Sequence, residues 1–467
     1  MLTAFKLNNF KSFQDEAVLP LGGALTVLIG ANAAGKSNVL EALRLLSWLA
    51  SGNKLGAIQR EVNRADKVVR GRVPDLFRRG ELRFALGCQV QDAAGDSSLS
   101  MALELRGDDL HIVAERMDTG TGVPLYDMDQ PSQGGMATEA GVAYNNFSKG
   151  GNKPHIKVTD QMAVFAQLDS PASFHANHRK AQQEIPRVCK AYQALLSNVL
   201  FLDPVPARMR DFSFLADKRL GGDGANLSSV LYQLWCEGEL DFDVDAWREQ
   251  QGRLASPSDF ELTRLRQEQC RGELISFIQS LPEQDITGLD FLKGPRGDVM
   301  VQLIETFSGT PRRFEAALLS DGTLRVLAIA AAMLSAPEGS LVVIEEIDNG
   351  VHPSRARHLL ERIQAVAERR KLRVLLSTHN PAMLDALPDK AVPDVVFCYR
   401  DTRSGDSRLV RLGSLPDAPE LFIQDSLGHL MTSGALDRFV KTHPGPEARK
   451  QQAWLAALRT SAPGVGE

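Results

Sequence analysis

Cysteine is scarce in this sequence. Five residues in 467 (Cys88, Cys189, Cys236, Cys270 and Cys398) form an odd set with no pair at metal-binding spacing. A disulfide framework is therefore not expected, and a reducing, cytoplasmic setting is. Long hydrophobic runs are missing too. The longest, 326–334, falls far short of the roughly 20 residues that span a bilayer, so no membrane partner is expected. The first eleven residues lack the apolar stretch of a secretory leader. There is no excess of positive charge: 53 Lys and Arg stand against 58 Asp and Glu, a net −5. A globally basic nucleic-acid binder is not indicated, which leaves only local patches. No heptad pattern lasts more than a few turns, so no long coiled coil is expected, and no tandem repeat is evident. What remains is globular composition, 43% apolar and 24% charged, with material for about two to four domains.

Residues 2–10 read as an edge strand and 24–29 as a strand entering a Gly-rich turn at Gly30. After Lys36, the apolar residues Val39, Leu40, Leu43, Leu46 and Leu49 keep helical period. Three antiparallel strands are expected at 82–90, 99–105 and 110–114, then a long lid-like loop from 118 to 153. Helices are expected at 185–199, from an Asn226 cap to about 236, and at 260–281. Beyond 297 the pattern is α/β, with strands at 299–307, 341–344, 373–377, 395–399 and 408–412. Helices fall between them at 322–334 and 354–368, and the end of the chain is expected to fray.

Gly30-Ala-Asn-Ala-Ala-Gly35-Lys36-Ser37 fits G-x-x-x-x-G-K-[ST] in full, between a strand and a helix as that motif demands. Loop N–H groups curl around a β-phosphate, which requires glycine where a Cβ would collide. Lys36 reaches the β- and γ-phosphates, the Ser37 hydroxyl ligates Mg²⁺, and the helix N-terminus faces the anion. Far downstream, the apolar strand 341–344 ends in Glu345-Glu346. A P-loop ATPase needs one carboxylate near Mg²⁺ and a second to polarise the attacking water. Asp is usual at the first position; Glu345 stands there. Leu319-Ser320-Asp321-Gly322-Thr323 opens an apolar helix, and Leu375-Leu-Ser-Thr-His379 sets a histidine past a buried strand. Alone, the first is an ordinary cap and the second an ordinary structural histidine.

The order of P-loop, Ser-Asp-Gly-Thr, acidic pair and strand-histidine resembles ATP-binding-cassette ATPases of the SMC/RecF-like type. It is closer to the bacterial AAA-type branch found in OLD-family nucleases and in anti-phage systems such as PARIS and Septu. The matching residues are Asn9-Phe-Lys-Ser-Phe13, Asn32-Ala-Ala-Gly-Lys-Ser-Asn-Val-Leu-Glu-Ala42, Phe201-Leu-Asp-Pro-Val-Pro206, Gly222-Asp-Gly-Ala-Asn-Leu-Ser-Ser-Val-Leu231 and Glu345-Glu-Ile-Asp-Asn-Gly-Val-His-Pro353. They thin over 118–153, 237–297 and beyond 413. The resemblance implies an α/β P-loop NTPase of ABC/SMC-RecF type, a mixed sheet with an antiparallel β subdomain and a helical insertion. Its divisions are expected at 1–150 (P-loop lobe), 151–297 (insertion or lid), 298–412 (second ATPase lobe) and 413–467 (small helical tail).

The resemblance also implies ATP and Mg²⁺ as cofactors and a head-to-tail homodimer, or a higher oligomer. Gly30, Asn32, Gly35, Lys36, Ser37 and Asn38 of one chain would hold the nucleotide. Ser320 and Gly322 of the other would meet its γ-phosphate. Ser37 and Glu345 are the metal candidates, the glutamate acting through water. Glu346 is the expected base, His379 the switch histidine, and Asp348 a contact across the interface. Lys11 is expected to approach the phosphates or ribose. Gln89 and Gln91 are candidates for the family's Q-loop glutamine.

No TOPRIM nuclease is expected, since no Asp-x-Asp follows His379, and Asp401 and Asp406 read as hairpin-turn residues. His175 and His178 near Cys189 read as a polar loop before a metal site. Arg60, Arg64, Lys67, Arg70, Arg72, Arg78, Arg79 and Arg83 form a basic stretch, and Arg355, Arg357, Arg362, Arg369 and Arg370 another. Each is either a DNA contact or a solvated face. Two functions stay open: a switch driving a separate effector protein, a nuclease or toxin in anti-phage defence, and a RecF-like ATPase that binds DNA itself. A scaffold that barely hydrolyses is a further alternative. A transporter cassette is disfavoured by the long insertion and the Ser-Asp-Gly-Thr segment.

Overall fold

The computed structural model describes residues 1–58, 68–92, 95–133, 137–150, 152–236, 257–279, 286–307 and 310–442. Among the described residues the strands form three sheets. The first is an eight-stranded antiparallel sheet in the order β2-β1-β4-β5-β6-β7-β8-β9. Its strands are β1 (Leu2–Asn8), β2 (Ala17–Pro20), β4 (Arg83–Asp92), β5 (Gly95–Arg106), β6 (Asp109–Asp118), β7 (Tyr126–Gln130), β8 (Glu139–Tyr144) and β9 (His155–Thr159). The second has the order β10-β15-β16-β3-β17-β18, from β3 (Leu25–Ile29), β10 (Leu200–Leu202), β15 (Leu341–Ile344), β16 (Arg373–Ser377), β17 (Val395–Arg400) and β18 (Ser407–Arg411). It is parallel except for β18, which returns antiparallel beside β17. A smaller antiparallel sheet joins β11 (Ser213–Phe214), β12 (Ile286–Lys293), β13 (Asp298–Phe307) and β14 (Thr310–Glu315).

The parallel sheet is the partition between two hydrophobic cores. Its inner strands are apolar at most positions, as strands covered on both faces must be, and β15 is apolar throughout. Leu28, Leu341, Val343 and Leu375 point into the core shared with the antiparallel sheet and α1 (Lys36–Ala50). Val27, Ile29, Val342, Ile344, Val374 and Leu376 point the other way. Neighbours in sequence thus serve opposite faces, the period of two of an extended chain. α1 is backed by α2 (Arg179–Ser197). The second core lies under α3 (Leu227–Cys236), α4 (Pro257–Ile278), α5 (Asp321–Ser335) and α6 (Pro353–Arg369).

Several expectations need correction. β1 is not an edge strand, because β2 covers its outer side in register Phe5↔Leu19. The stretch 118–153 is not a bare loop. It carries β7 and β8, whose Tyr126, Met128, Ala140, Val142 and Tyr144 are buried in alternation; short strands broken by Gly and Pro hid that period. The segment 151–297 contains helices α2, α3 and α4, but β9 completes the first sheet and β10 edges the second. Asn226 does not cap α3 through its side chain: Oδ1 accepts from Gly221 N–H at 2.8 Å instead. The charge cluster at Arg60, Arg64 and Lys67, and the chain beyond 442, lie outside the described residues. Among the described residues no helix is long and apolar enough to cross a membrane.

Candidate nucleotide-binding site

β3, β15, β16 and β17 all end at one edge of the parallel sheet, the edge where α/β folds bind ligands. The P-loop leaves β3 there. Gly30 has φ +146, and a Cβ on it would fall on the Cys398 carbonyl oxygen. Gly35 has φ +118, and its Cβ would sit 2.8 Å from Ser407 Cβ. Neither position admits a side chain. Ala33 also takes a left-handed conformation, φ +62. The first turn of α1 holds no acidic residue, so its positive end stays available to an anion. Lys36 Nζ lies across the loop, donating to Gly30 O at 2.6 Å and Ala31 O at 3.1 Å. Burial lowers the pKa of this ammonium; Cys398, Glu346 and Asp348 act in the opposite sense.

A cavity of about 370 Å³ lies in front of the loop. Asn32, Gly35, Lys36, Ser37 and Asn38 line it together with Glu345, Glu346 and His379, which come from a distant part of the sequence. Arg70, Thr378 and Arg400 line it as well. Glu345 Oε1 accepts from Arg44 at 2.7 Å. Burial pushes the Glu345 carboxyl upward, Arg44 pulls it down, and Asp203 raises it again. Glu346 has φ +47; Ser377 Oγ takes its N–H at 3.1 Å, and Asn349 Nδ2 donates to its Oε2 at 2.7 Å. A left-handed non-glycine residue is strained and needs such holders. His379 is half-exposed at the rim.

Some expected residues lie elsewhere. Asp348 turns inward: its Oδ1 accepts from Thr378 Oγ1 at 2.6 Å and its side chain is 5% exposed, 3.9 Å from His379 Nε2. Ser320 is exposed and caps α5 by accepting from Thr323 N–H at 3.1 Å. It and Gly322 do not line the cavity of their own chain. Gly322 packs against the Gly350 carbonyl, with no room for a Cβ. Lys11 ion-pairs with Glu41 and donates to Arg70 O at 2.8 Å. It lines an adjoining cavity of about 510 Å³ with Ser12, Pro74, Phe77, Arg78 and Arg79. The two cavities are neighbours and share Asn38, Arg70 and Arg400 in their linings, the second lying outside the loop. Gln89 and Gln91 belong to β4 and line a separate hollow with Thr3 and Ser97. The residue beside Glu345 at the sheet edge is Asp203, since Leu202 pairs with Ile344 in parallel register.

The donors around Ser37 are a hydroxyl and carboxylates, hard oxygen ligands that suit Mg²⁺. Among the described residues no three acids, histidines or cysteines form a ready-made metal cage. His178 Nδ1 lies 2.8 Å from Tyr144 OH, and Cys189 is buried with its thiol pushed up. Within the described part of the basic stretches, Arg70 pairs with Glu41, Arg78 with Asp406 and Arg369 with Glu273, while Arg370 caps carbonyls of Met333 and Ala336.

Sequence reasoning missed Arg44, Arg70, Asp203 and Arg400 at the site. The one local signal is a polar residue directly after an apolar strand, which Asp203 shares with Glu345.

Residues 1–89 match the family described as AAA ATPase domain, and residues 164–385 match "AAA domain, putative AbiEii toxin, Type IV TA system". The chain is similar to the DNA replication and repair protein RecF of Nostoc punctiforme, 32% identical over 106 residues, 23% of this chain and 24% of that protein. It is also similar to the chromosome partition protein Smc of Coxiella burnetii, 39% identical over 54 residues, 12% of this chain and 5% of that one. The chain therefore spans about a quarter of the first relative's length and a small part of the second's. Among solved structures, an Smc head bound to the C-winged helix domain of ScpA aligns over 88% of this chain and 96% of its own, with TM-score 0.47 and 12% identity. An Smc head with an extended coiled coil, bound to the C-terminal domain of ScpA from Pyrococcus furiosus, aligns over 91% and 99%, with TM-score 0.42 and 13% identity. The P-loop, acidic pair and histidine thus fall within stretches that match AAA-type ATPase domains.

Proposed function

We propose that the chain binds ATP with Mg²⁺, hydrolyses it, and uses the cycle to switch between a closed dimer and open protomers. One observation carries this reading: Lys36 and Ser37 meet Glu345, Glu346 and His379 around a single cavity, although most of the sequence separates them. The loop amides and Lys36 hold the β- and γ-phosphates. Mg²⁺, when bound through Ser37 and Glu345, neutralises charge on those phosphate oxygens. Glu346, at the cavity edge, accepts a proton from water as the water oxygen attacks the γ-phosphorus. The bond from that phosphorus to the β–γ bridging oxygen breaks, and ADP leaves with the oxygen. His379 at the rim positions the γ-phosphate. Ser320 opens an exposed helix N-terminus away from its own cavity, so it serves the nucleotide of a second chain. Asp348, turned onto Thr378, acts by holding the strand-histidine turn in place.

Glu346→Gln tests the chemistry. Phosphate release is expected to fall by about 10²–10³-fold with nucleotide binding retained; unchanged turnover removes Glu346 from the role of base. The output of the switch is a separate effector protein, a toxin or nuclease, in keeping with the toxin-related description of the family matched at 164–385. A second reading, direct action on DNA, is favoured by the RecF similarity. Capture of Glu346→Gln with ATP from native cells separates them. A stoichiometric protein lost in Lys36→Ala supports the effector; DNA without protein supports the other.

A further inference from the structure

The rear of the P-loop is built by a part of the chain far from it in sequence, the β17–β18 hairpin. Arg400, the last residue of β17, donates Nε–H to Ala33 O at 2.9 Å. Asp406 is buried and ion-pairs with Arg78 at 2.5 Å. Ser407, the first residue of β18, is 4% exposed and donates its N–H to Ser12 O at 2.8 Å. Its Oγ lies 2.6 Å from Ala34 O and 2.7 Å from Ser12 Oγ. Ser12 Oγ in turn lies 2.7 Å from Asn38 Nδ2.

These contacts have one consistent direction. A hydroxyl carries one proton, and a carbonyl oxygen only accepts. Ser407 therefore donates to Ala34 O and accepts from the Ser12 hydroxyl, which accepts from the Asn38 amide. The chain runs from Asn38 through Ser12 and Ser407 to Ala34 O, each hydroxyl polarised by the donor before it. In a planar trans peptide the C=O and the following N–H point in opposite directions. Drawing Ala34 O back into the protein turns the Gly35 N–H forward. Gly35 lines the loop cavity and rests directly on Ser407.

We infer that Ser407 and Ser12 are positioning residues of the P-loop, which aim the Gly35 amide at a bound phosphate, and that Asn38 ties this setting to the outer cavity it also lines. The inference rests on the nucleotide-binding reading above.

Titration of the full chain with a fluorescent ADP, with thermal unfolding measured on the same samples, tests it. Ser407→Ala is expected to weaken ADP binding by about fivefold, the worth of one hydrogen bond. Ser12→Ala should cost about as much. The double variant should lose no more than Ser407→Ala alone, because both changes break one chain. Ser12→Thr, which keeps a hydroxyl, should restore binding, as a packing role for this side chain would not require. Unchanged affinity in Ser407→Ala, or additive losses in the double variant, overturns the inference. If Ser407→Ala does not fold, Ser12→Ala against Ser12→Thr carries the same comparison, and equal affinity of those two overturns it. Lys36→Ala separates the two claims. If that variant still binds ADP, the nucleotide reading itself fails. If it does not, and the serine variants bind normally, the positioning claim alone fails.

Discussion

Glu115 on β6 is fully buried, and its carboxylate accepts three hydrogen bonds: Tyr126 OH at 2.7 Å, Val164 N–H at 2.8 Å and Phe165 N–H at 2.9 Å. It ties the antiparallel sheet to the turn that leads toward α2. Burial pushes its carboxyl up to about 7, and the three donors pull in the opposite direction. In the unfolded chain the same group titrates near 4.5. Between those values the folded chain holds a proton that the unfolded chain has lost. The stabilising contribution is thus present at low pH and is lost as pH rises through the folded value. We expect the unfolding temperature to fall as pH rises from about 5 to 7, and Glu115→Gln to flatten that slope, read by thermal melts across the range. Nothing in the sequence marks Glu115, because its partners come from β7 and from the 164–165 turn. The P-loop is different: its glycines, lysine and serine act over eight consecutive residues, so local order reveals them. Lys11 shows the limit of that reasoning. It stands in the expected opening segment, yet its ammonium pairs with Glu41 and it does not line the loop cavity.

At the scale of elements, apolar period locates the strands and long helices beside the P-loop and beyond 297, but it misses β2, β7 to β12 and β14. β15 is clear because a strand covered on both faces is apolar throughout, and β16 keeps an apolar run of three between Arg373 and Ser377. Period could not give sheet order. That order sets Asp203 beside Glu345 and brings Arg400 to the P-loop, which is why both were missed. The sequence pattern reads Asp401 and Asp406 as ordinary hairpin-turn residues. Asp401 fits that, accepting from Arg403 and Ser404 N–H groups. Asp406 does not, since it is buried against Arg78. Breaking such a pair leaves one charge without its partner, at a cost of about 3 kcal/mol. Arg78→Ala is therefore expected to lose stability of that order in urea unfolding, whereas Arg72→Ala, whose exposed pair with Asp75 spans 3.8 Å, should lose less than about 0.5 kcal/mol. Equal effects of the two changes would show that the hairpin anchor is no stronger than a surface contact.

For the whole molecule, the decisive question is whether one chain makes a complete site. The cavity has its phosphate loop, acids and histidine, but Ser320 and Gly322 are not among the residues that line it. The proposed head-to-tail pair would resolve this, because two-fold symmetry would give each loop the Ser320 segment of the other chain. The arrangement has a consequence that a self-sufficient protomer cannot imitate. Lys36→Ala removes the phosphate contact from its own loop but leaves its Ser320 segment intact. Ser320→Arg does the reverse, placing bulk and positive charge where the partner's γ-phosphate would rest. Each variant alone assembles only defective sites. In a mixed dimer, the loop of the Ser320→Arg chain meets the unaltered Ser320 of the Lys36→Ala chain, and that site is whole. Mixing the two inactive variants is expected to restore ATP hydrolysis to about a quarter of wild type at equal concentrations, since about half the dimers are mixed and each holds one good site of two. Recovery should follow a saturating dependence on the second chain. A mixture as inactive as its components, with mixed dimers shown to form by differential tagging, would mean that Ser320 does not act across an interface. The helix cap it provides to α5 would then be its whole contribution.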